Sequence, residues 1–229
     1  MDLAHNLAQV KARVREAAQR DGRDPAAVTL LAVSKMQSPQ AVCEAAQAGQ
    51  RDFGENYVQE ALDKQIAVAN PALIWHFIGP IQSNKTRAIA ENFAWVHSVD
   101  RLKIAQRLSA QHPIDALPLN VCIEVNISGE ASKSGVLPVG VTALAEQVAA
   151  LPQLKLRGLM AIPAPTSDVQ QQRLAFAQVH ALFDALNQRG LKLDTLSMGM
   201  SGDLEAAIAE GATIVRVGTA IFGPRQALK

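Results

Sequence analysis

The sequence predicts an α/β fold: a single (β/α)8 barrel of the TIM type with an extra N-terminal helix. Short apolar runs alternate with helical patterns along the chain, as in parallel sheets whose strands are joined by helices. Eight such runs are present, which is the number that closes this kind of barrel. No linker rich in serine, proline or glycine interrupts the 229 residues, so we expect one domain over residues 1–229.

The elements follow from hydrophobic spacing. Leu3, Leu7, Val10 and Val14 recur at helical intervals, so residues 2–20 are predicted to form the extra helix. The predicted strands that follow are 30–34, 51–53, 74–78, 95–98, 119–125, 156–160, 195–198 and 214–217. The helices between them are predicted near 39–48, 57–69, 84–92, 101–111, 140–150, 168–188 and 204–210.

Composition narrows the classes of function. The net charge is +1, so no overall field attracts nucleic acid or an anionic membrane. The N-terminus lacks the pattern of a signal peptide, and no uninterrupted apolar stretch reaches about 18 residues, so we expect a cytoplasmic protein without membrane contact. Cys43 and Cys122 stand in apolar contexts, which favours buried, reduced thiols.

Lys35 follows the first predicted strand directly, at the end of a short apolar run, and the chain turns at Pro39 soon after. Burial disfavours the ammonium form and lowers the pKa of a lysine, so its amine can form an imine with an aldehyde or ketone near neutral pH. The alternative is that Lys35 caps the strand and points to water. Features at the far end of the chain favour the chemical role.

Two glycine turns follow the last two predicted strands. In the first, Ser201 and Asp203 are candidate N-caps of a short helix, and in the second Gly218 and Thr219 follow the strand directly. Backbone N–H groups at such turns bind anions, and phosphate often sits after strands seven and eight of this barrel. Closure would place these turns opposite Lys35, which predicts a site for a phosphorylated carbonyl compound.

Arg216 and Asn56 each allow two interpretations. An arginine inside an apolar strand either joins a buried ion pair or meets a ligand. Facing a pyridine ring, the guanidinium of Arg216 cannot accept a proton and would leave the ring nitrogen unprotonated, which disfavours transamination. Asn56 either binds a ring substituent such as a phenolic oxygen or caps the helix that begins near Tyr57.

Three further polar residues have a structural interpretation beside a functional one. His76 either lines the mouth of the barrel or is a satisfied polar group of its core. His76 and His97 could ligate a metal from neighbouring strands, but no cluster with ligand spacing supports this, and we expect no metal. Lys133 lies in a polar loop after the fifth predicted strand and either contacts an anion or is exposed.

Several longer motifs follow one another in order over nearly the whole chain. They are Ala32-Val-Ser-Lys35, Phe53-Gly-Glu-Asn-Tyr-Val-Gln-Glu60, Trp75-His-Phe-Ile-Gly-Pro80, Gln82-Ser-Asn-Lys-Thr86, Asn126-Ile-Ser, Ser132-Lys-Ser-Gly135, Arg157-Gly-Leu-Met-Ala-Ile-Pro163, Ser197-Met-Gly-Met-Ser201 and Val215-Arg-Val-Gly-Thr-Ala-Ile-Phe-Gly223. Together they resemble the pyridoxal phosphate homeostasis protein family, whose barrel is similar to the N-terminal domain of alanine racemase. One departure is Met36-Gln37-Ser38, where the family usually has Thr-Lys-Pro.

The resemblance implies that Lys35 holds pyridoxal 5'-phosphate (PLP) as an imine and that Arg216 faces the pyridine nitrogen. It also implies that the phosphate is held by Ser201, Gly218 and Thr219. The implied function is that of a carrier and regulator of the intracellular vitamin B6 pool, without catalytic turnover. We expect a monomer, with PLP-dependent apo-enzymes as recipients of the cofactor.

Two enzymatic alternatives remain open at this point. One is an amino-acid racemase or weak lyase with Lys35 as base, and the other is an aldolase that forms an imine with a sugar phosphate. A racemase needs an acid/base group on each face of the substrate, and the chain contains a single tyrosine, Tyr57. An aldolase would give Arg216 no ring nitrogen to meet. Both observations favour the carrier.

Overall fold

The computed structural model describes residues 2–130 and 133–223, and within them eight parallel strands pair in chain order into a closed barrel. The strands are β1 (Thr29–Val33), β2 (Asp52–Glu55), β3 (Ile74–Phe77), β4 (Trp95–Val99), β5 (Leu119–Val125), β6 (Leu154–Ala161), β7 (Thr195–Ser197) and β8 (Ile214–Val217). The predicted (β/α)8 barrel is therefore confirmed.

Helices surround the barrel. They are α1 (Leu3–Arg20), α2 (Pro39–Gln47), α3 (Val58–Val68), α4 (Thr86–Asn92), α5 (Leu102–Gln111), α6 (Pro138–Ala149), α7 (Val169–Gln188), α8 (Leu204–Ala209) and α9 (Thr219–Phe222). The first of them is the predicted extra helix; its side chains at the predicted apolar spacing are buried, and it packs against α2, α8 and α9. Asp2 caps it by accepting a hydrogen bond from the His5 backbone N–H.

Closure between β8 and β1 decides where the chain's functional residues meet. Leu31 of β1 lies in register with Arg216 of β8, and Ala32 lies in register with Val217. On its other side, β1 pairs with β2 through Ala32 and Phe53. The carboxyl ends of β8, β1 and β2 therefore lie side by side, although they are far apart in sequence.

The hydrophobic core fills the layer between strands and helices. Fully buried aliphatic side chains come from both layers, for example Val96 and Val121 from strands and Ile104 and Leu108 from α5. Each such side chain contributes about 1.5–3 kcal/mol relative to an exposed one. None of the helices in the described part of the chain is long and apolar enough to cross a membrane.

Candidate functional site

A cavity of about 260 Å³ opens at the carboxyl ends of the strands, across the seam between β8 and β1. The six predicted site residues all lie on its wall: Lys35, Asn56, Ser201, Arg216, Gly218 and Thr219. Val33, Gln37, Ile78, Ile162 and Met200 contribute further to the wall. The structure thus brings together in one place residues that the sequence places on four separate segments.

The backbone around Lys35 is bent and held from outside the cavity. Met36, directly after it, has φ 59°, a left-handed conformation that costs a residue with a side chain roughly 1–2 kcal/mol. The Met36 N–H donates to Glu60 Oε1 at 2.5 Å. That bond to a carboxylate stabilises the bend, so the position of Lys35 at the cavity wall is fixed by α3.

A buried charge cluster, the Lys64 cluster, lies behind this bend and comprises Ser34, Glu55, Glu60 and Lys64. Lys64 Nζ donates to the Ser34 carbonyl at 2.6 Å, to Glu55 Oε1 at 2.8 Å and to Glu60 Oε1 at 2.6 Å. The Ser34 hydroxyl donates to Glu55 Oε1 at 2.7 Å. Burial raises the pKa of Glu55, and the Lys64 ammonium partly offsets this. The cluster therefore grips the backbone on both sides of Lys35.

The Lys64 cluster was not predicted from the sequence. Its signals were a glutamate and a lysine four residues apart on a predicted helix, which commonly form only a surface ion pair, and Glu55 after a short apolar run. Pairing of β1 with β2 brings the carbonyl of Ser34 to that lysine, so spacing alone could not distinguish a buried cluster from an exposed pair.

Asn56 lies on the wall with a buried amide oxygen that has no hydrogen-bond partner among the residues that the structure describes. The capping interpretation was wrong, because Tyr57 is the N-cap of α3 and makes no side-chain capping bond. The backbone of Asn56 is packed tightly against Gly79, where a Cβ would lie 2.3 Å from the Asn56 carbonyl oxygen. An unpaired buried polar atom costs about 1–3 kcal/mol, which favours a role for Asn56 toward a ligand.

Arg216 is buried and belongs to the wall of the cavity. Among the described residues it donates to the Ser197 carbonyl at 2.6 Å, the Ser197 hydroxyl at 2.8 Å and the Ala161 carbonyl at 3.0 Å, and it forms no ion pair with a carboxylate. Burial lowers the pKa of Arg216 to about 10, while the more distant Asp203 and Glu124 act in the opposite direction. The guanidinium is therefore charged at neutral pH and donates only.

The turn after β7 requires glycine and is stabilised by a carboxylate. Gly199 has φ 93°, and a Cβ there would lie 2.5 Å from the Cβ of Ala207. Asp203 occupies the N-cap position of α8, but its carboxylate accepts from the Met200 N–H rather than capping that helix. Ser201 lies within this turn on the cavity wall and is not the cap. Contacts within the protein itself thus hold this turn.

The turn after β8 is shaped by packing against β1. A Cβ at Gly218 would lie 3.1 Å from the Val33 carbonyl oxygen, so a larger residue would press on the neighbouring strand. Thr219 begins α9 immediately afterwards and is exposed at the cavity. The absence of a side chain at Gly218 therefore keeps this turn close to the end of β1.

The remaining sequence candidates lie away from the wall. His76 is a satisfied polar group of the barrel interior, with hydrogen bonds to His97 and to Asp52. Lys133 pairs with Glu130 at 2.7 Å, and Ser132 of the neighbouring motif lies outside the described residues. The described residues contain no group of three or more histidines, cysteines and acidic residues that suits a metal ion.

Fold and cavity together define a class: barrels of the alanine racemase type. A family model described as the N-terminal domain of alanine racemase matches residues 3–226. The chain belongs to this family and, within it, to the pyridoxal phosphate homeostasis proteins. The family indicated by the sequence motifs is thereby confirmed.

Three relatives illustrate the match. The pyridoxal phosphate homeostasis protein of Pseudomonas aeruginosa is 66% identical over 223 residues, covering 97% of this chain and 96% of that protein. The Escherichia coli protein of the same name is 55% identical over 229 residues, covering 98% and 97%. The solved structure of PipY from Synechococcus elongatus with PLP bound has a TM-score of 0.83 and 38% identity, covering 96% of this chain and all of that one.

Proposed function

We propose that this chain binds PLP in the cavity at the β8–β1 seam and acts as a carrier and regulator of the PLP pool rather than by catalytic turnover. The observation that carries the proposal is the meeting of Lys35, Asn56, Arg216 and the two glycine turns around one cavity. PLP is bound in the solved structure of PipY, which is similar over nearly the whole chain.

The chemistry of the wall suits each part of the cofactor. The donor-only guanidinium of Arg216 suits an unprotonated pyridine nitrogen, which can only accept. The buried amide oxygen of Asn56, which has no hydrogen-bond partner among the described residues, suits the O–H donor of a phenol group on the ring. Backbone N–H groups of the two turns, with the hydroxyls of Ser201 and Thr219, suit a phosphate.

PLP, when bound, supplies an aldehyde and an electron-withdrawing ring. Lys35 would hold PLP through its side-chain amine, which can condense with that aldehyde, the aldehyde oxygen leaving as water with the two protons of the neutral amine. Arg216 keeps the ring nitrogen unprotonated, because a guanidinium with a pKa of about 10 gives up no proton at neutral pH. A ring in this state withdraws electrons weakly, which supports holding the cofactor over turning it over.

The position of Tyr57 also supports the carrier over a racemase. Tyr57 is 56% exposed and does not belong to the wall of the cavity. A racemase would need a second acid/base group facing Lys35 across the ligand. Incubation of the PLP-loaded protein with L-amino acids should therefore yield neither D-isomers nor keto acids, and steady accumulation of either would establish an enzyme instead.

Attachment at Lys35 is tested by borohydride reduction of the PLP-loaded protein followed by peptide mapping. We expect a coloured protein whose reduced label lies on Lys35, and a Lys35→Ala variant that folds but carries no label. Label chiefly on Lys85 or Lys133 would overturn the placement. A colourless protein that takes no PLP would remove the proposal altogether and favour the aldolase alternative.

The phosphate turns are tested by comparing PLP with unphosphorylated pyridoxal. Ser201→Ala and Thr219→Val each remove a hydroxyl donor, so each should weaken PLP by roughly tenfold to a hundredfold while leaving pyridoxal nearly unchanged. Equilibrium titration of both ligands gives the two affinities. Equal losses for both ligands would show that these hydroxyls shape the wall and do not hold the phosphate.

We further propose a cytoplasmic monomer made of one domain over residues 1–229 that delivers PLP to PLP-dependent apo-enzymes. Cys43 and Cys122 are both free thiols, which suits a reducing compartment. Packing of α1 against α8 and α9 joins the two ends of the described chain. Light scattering measures the oligomeric state, and recovery of activity by an apo-enzyme mixed with the loaded protein measures delivery.

A further inference from the structure

A hydrogen-bonded chain crosses the barrel interior from Arg216 to the opposite end of the barrel. This chain, the relay, consists of Arg216, Ser197, His97, His76 and Asp52. Its bonds join Arg216 to the Ser197 hydroxyl at 2.8 Å, that hydroxyl to His97 Nδ1 at 2.8 Å, His97 Nε2 to His76 Nδ1 at 2.9 Å, and His76 Nε2 to Asp52 Oδ1 at 3.1 Å. Since Asp52 begins β2, the relay ends at the amino end of the strands, away from the cavity.

The two ends of the relay fix the direction of every bond in it. Arg216 can only donate and the Asp52 carboxylate can only accept. The Ser197 hydroxyl therefore accepts from Arg216 and donates to His97 Nδ1. Each neutral imidazole then carries its proton on Nε2, so His97 donates to His76 and His76 donates to Asp52. No bond in the relay is left with two donors or two acceptors.

Burial keeps water out of all but one end. His76, His97, Ser197 and Arg216 are at most 4% exposed, whereas the side chain of Asp52 is 22% exposed. Burial lowers the pKa of both imidazoles, in agreement with the neutral forms that the bonding pattern requires.

The ring of His76 is held in place by stacking. It lies 9° from parallel to the Trp95 ring, with 5.5 Å between centroids. Stacking restricts rotation of the imidazole and so fixes its orientation. The hydrogen bond to Asp52 then fixes its tautomer. The remote carboxylate therefore sets which nitrogen carries the proton.

We propose that Asp52 is a positioning residue for the ligand-facing guanidinium of Arg216, acting through the fixed tautomers of His76 and His97 and the hydroxyl of Ser197. Its contribution to PLP binding rests on the proposed function, whereas the tautomers belong to the protein without ligand. Asp52, at the amino end of the barrel, thus fixes the orientation of the Arg216 guanidinium at the carboxyl end.

The first test is ¹⁵N NMR of the imidazoles in the protein without PLP. We expect both buried rings, His76 and His97, to be neutral with the proton on Nε2. A proton on Nδ1 of either ring, or a charged ring at neutral pH, would overturn the relay whether or not PLP binds. Failure of the wild-type protein to bind PLP would refute the proposed function and leave this result standing.

The second test compares Asp52→Leu with Asp52→Asn. Leucine removes the carboxylate acceptor, so the NMR signal of His97 should change and PLP affinity should fall by about tenfold. Asparagine retains a carbonyl acceptor, so in Asp52→Asn the His97 signal and the PLP affinity should both lie close to the wild-type values. Asp63→Leu, which removes an exposed carboxylate from α3, is the matched control and should change neither.

Folding of these variants is checked by circular dichroism and thermal melting. If Asp52→Leu does not fold, Ser197→Ala interrupts the relay at the barrel interior and should weaken PLP by a similar factor, with a changed His97 signal. Unchanged His97 tautomer and unchanged PLP affinity in whichever variant folds would overturn the positioning role.

Discussion

Two buried polar networks support the cavity, and they are built in opposite ways. The Lys64 cluster is compact and charged, and it grips backbone atoms on both sides of Lys35. The relay is long, its middle members are neutral, and it orients a side chain, that of Arg216. Buried charge is costly unless it is paired at short range, whereas neutral hydrogen-bonded groups can extend through an interior at small cost. In this protein the charged cluster therefore fixes the backbone next to it, whereas the neutral relay links side chains at opposite ends of the barrel.

The largest expected effect is on the charged network. Lys64→Met removes the ammonium partner of the buried Glu55 and of the half-buried Glu60, so the free energy of unfolding should fall by about 3–5 kcal/mol. Chemical denaturation measures this. The matched control Lys103→Met, at an exposed lysine of α5, should change it by less than about 0.5 kcal/mol. A similarly small loss of unfolding free energy in Lys64→Met would show that the Lys64 cluster does not stabilise the fold.

A pH experiment tests whether Glu124, a buried carboxyl group near Arg216 and outside the relay, is protonated in the folded protein. Glu124 lies near Arg216 without a described hydrogen bond to it, and burial, assisted by Asp100, raises the pKa of Glu124 from 4.5 to about 7. The folded protein therefore holds this proton more firmly than the unfolded chain does. The resulting stability is complete below about pH 4.5 and is lost as the pH rises through about 7.

The size of this loss follows from the shift, which corresponds to about 3 kcal/mol. We expect the difference in unfolding free energy between Glu124→Gln and wild type to change by that order between pH 4.5 and 8. The His97 signal should stay as it is, because the relay does not include Glu124. A pH-independent difference would show that Glu124 is not protonated in the folded protein.

The smallest expected effect concerns Asn56, whose amide belongs to neither network. Asn56→Leu replaces an unpartnered buried oxygen by an apolar group, so the protein without ligand should gain about 1 kcal/mol of stability. The same variant should bind PLP more weakly, because the partner of the phenolic oxygen is gone. Thermal melting and titration measure the two effects. A loss of stability would indicate that the amide is satisfied in the free protein.

The fold and the cavity wall were predictable from sequence, whereas the two networks were not. Strand and helix periodicity gave the barrel, and the rule that function lies at strand ends then placed Lys35 opposite Gly218. Which side chains meet in the barrel interior depends on the register between neighbouring strands. Hydrophobic periodicity does not determine that register when the strands are parallel and joined by helices. Nothing local in the sequence pairs Ser197 with His97, or Ser34 with Lys64.

Asn56 and His76 each had two interpretations that the sequence alone could not separate. The capping interpretation of Asn56 was plausible because asparagine favours helix N-caps, but the helix begins one residue later than such a cap requires. The interpretation of His76 as a satisfied polar group of the core agrees with its hydrogen bonds. Its bond to Asp52 could not be anticipated, since Asp52 was placed only as part of a short predicted strand.

Barrel closure has a consequence for the protein's synthesis. The ribosome makes the chain from its N-terminus, so Lys35 emerges long before Arg216, and the wall of the cavity is completed only when β8 pairs with β1. A nascent chain therefore exposes Lys35 without the arginine and the last glycine turn that complete the wall of the cavity. Cofactor capture at this seam becomes a property of the finished chain, and loading can serve as a report that folding is complete.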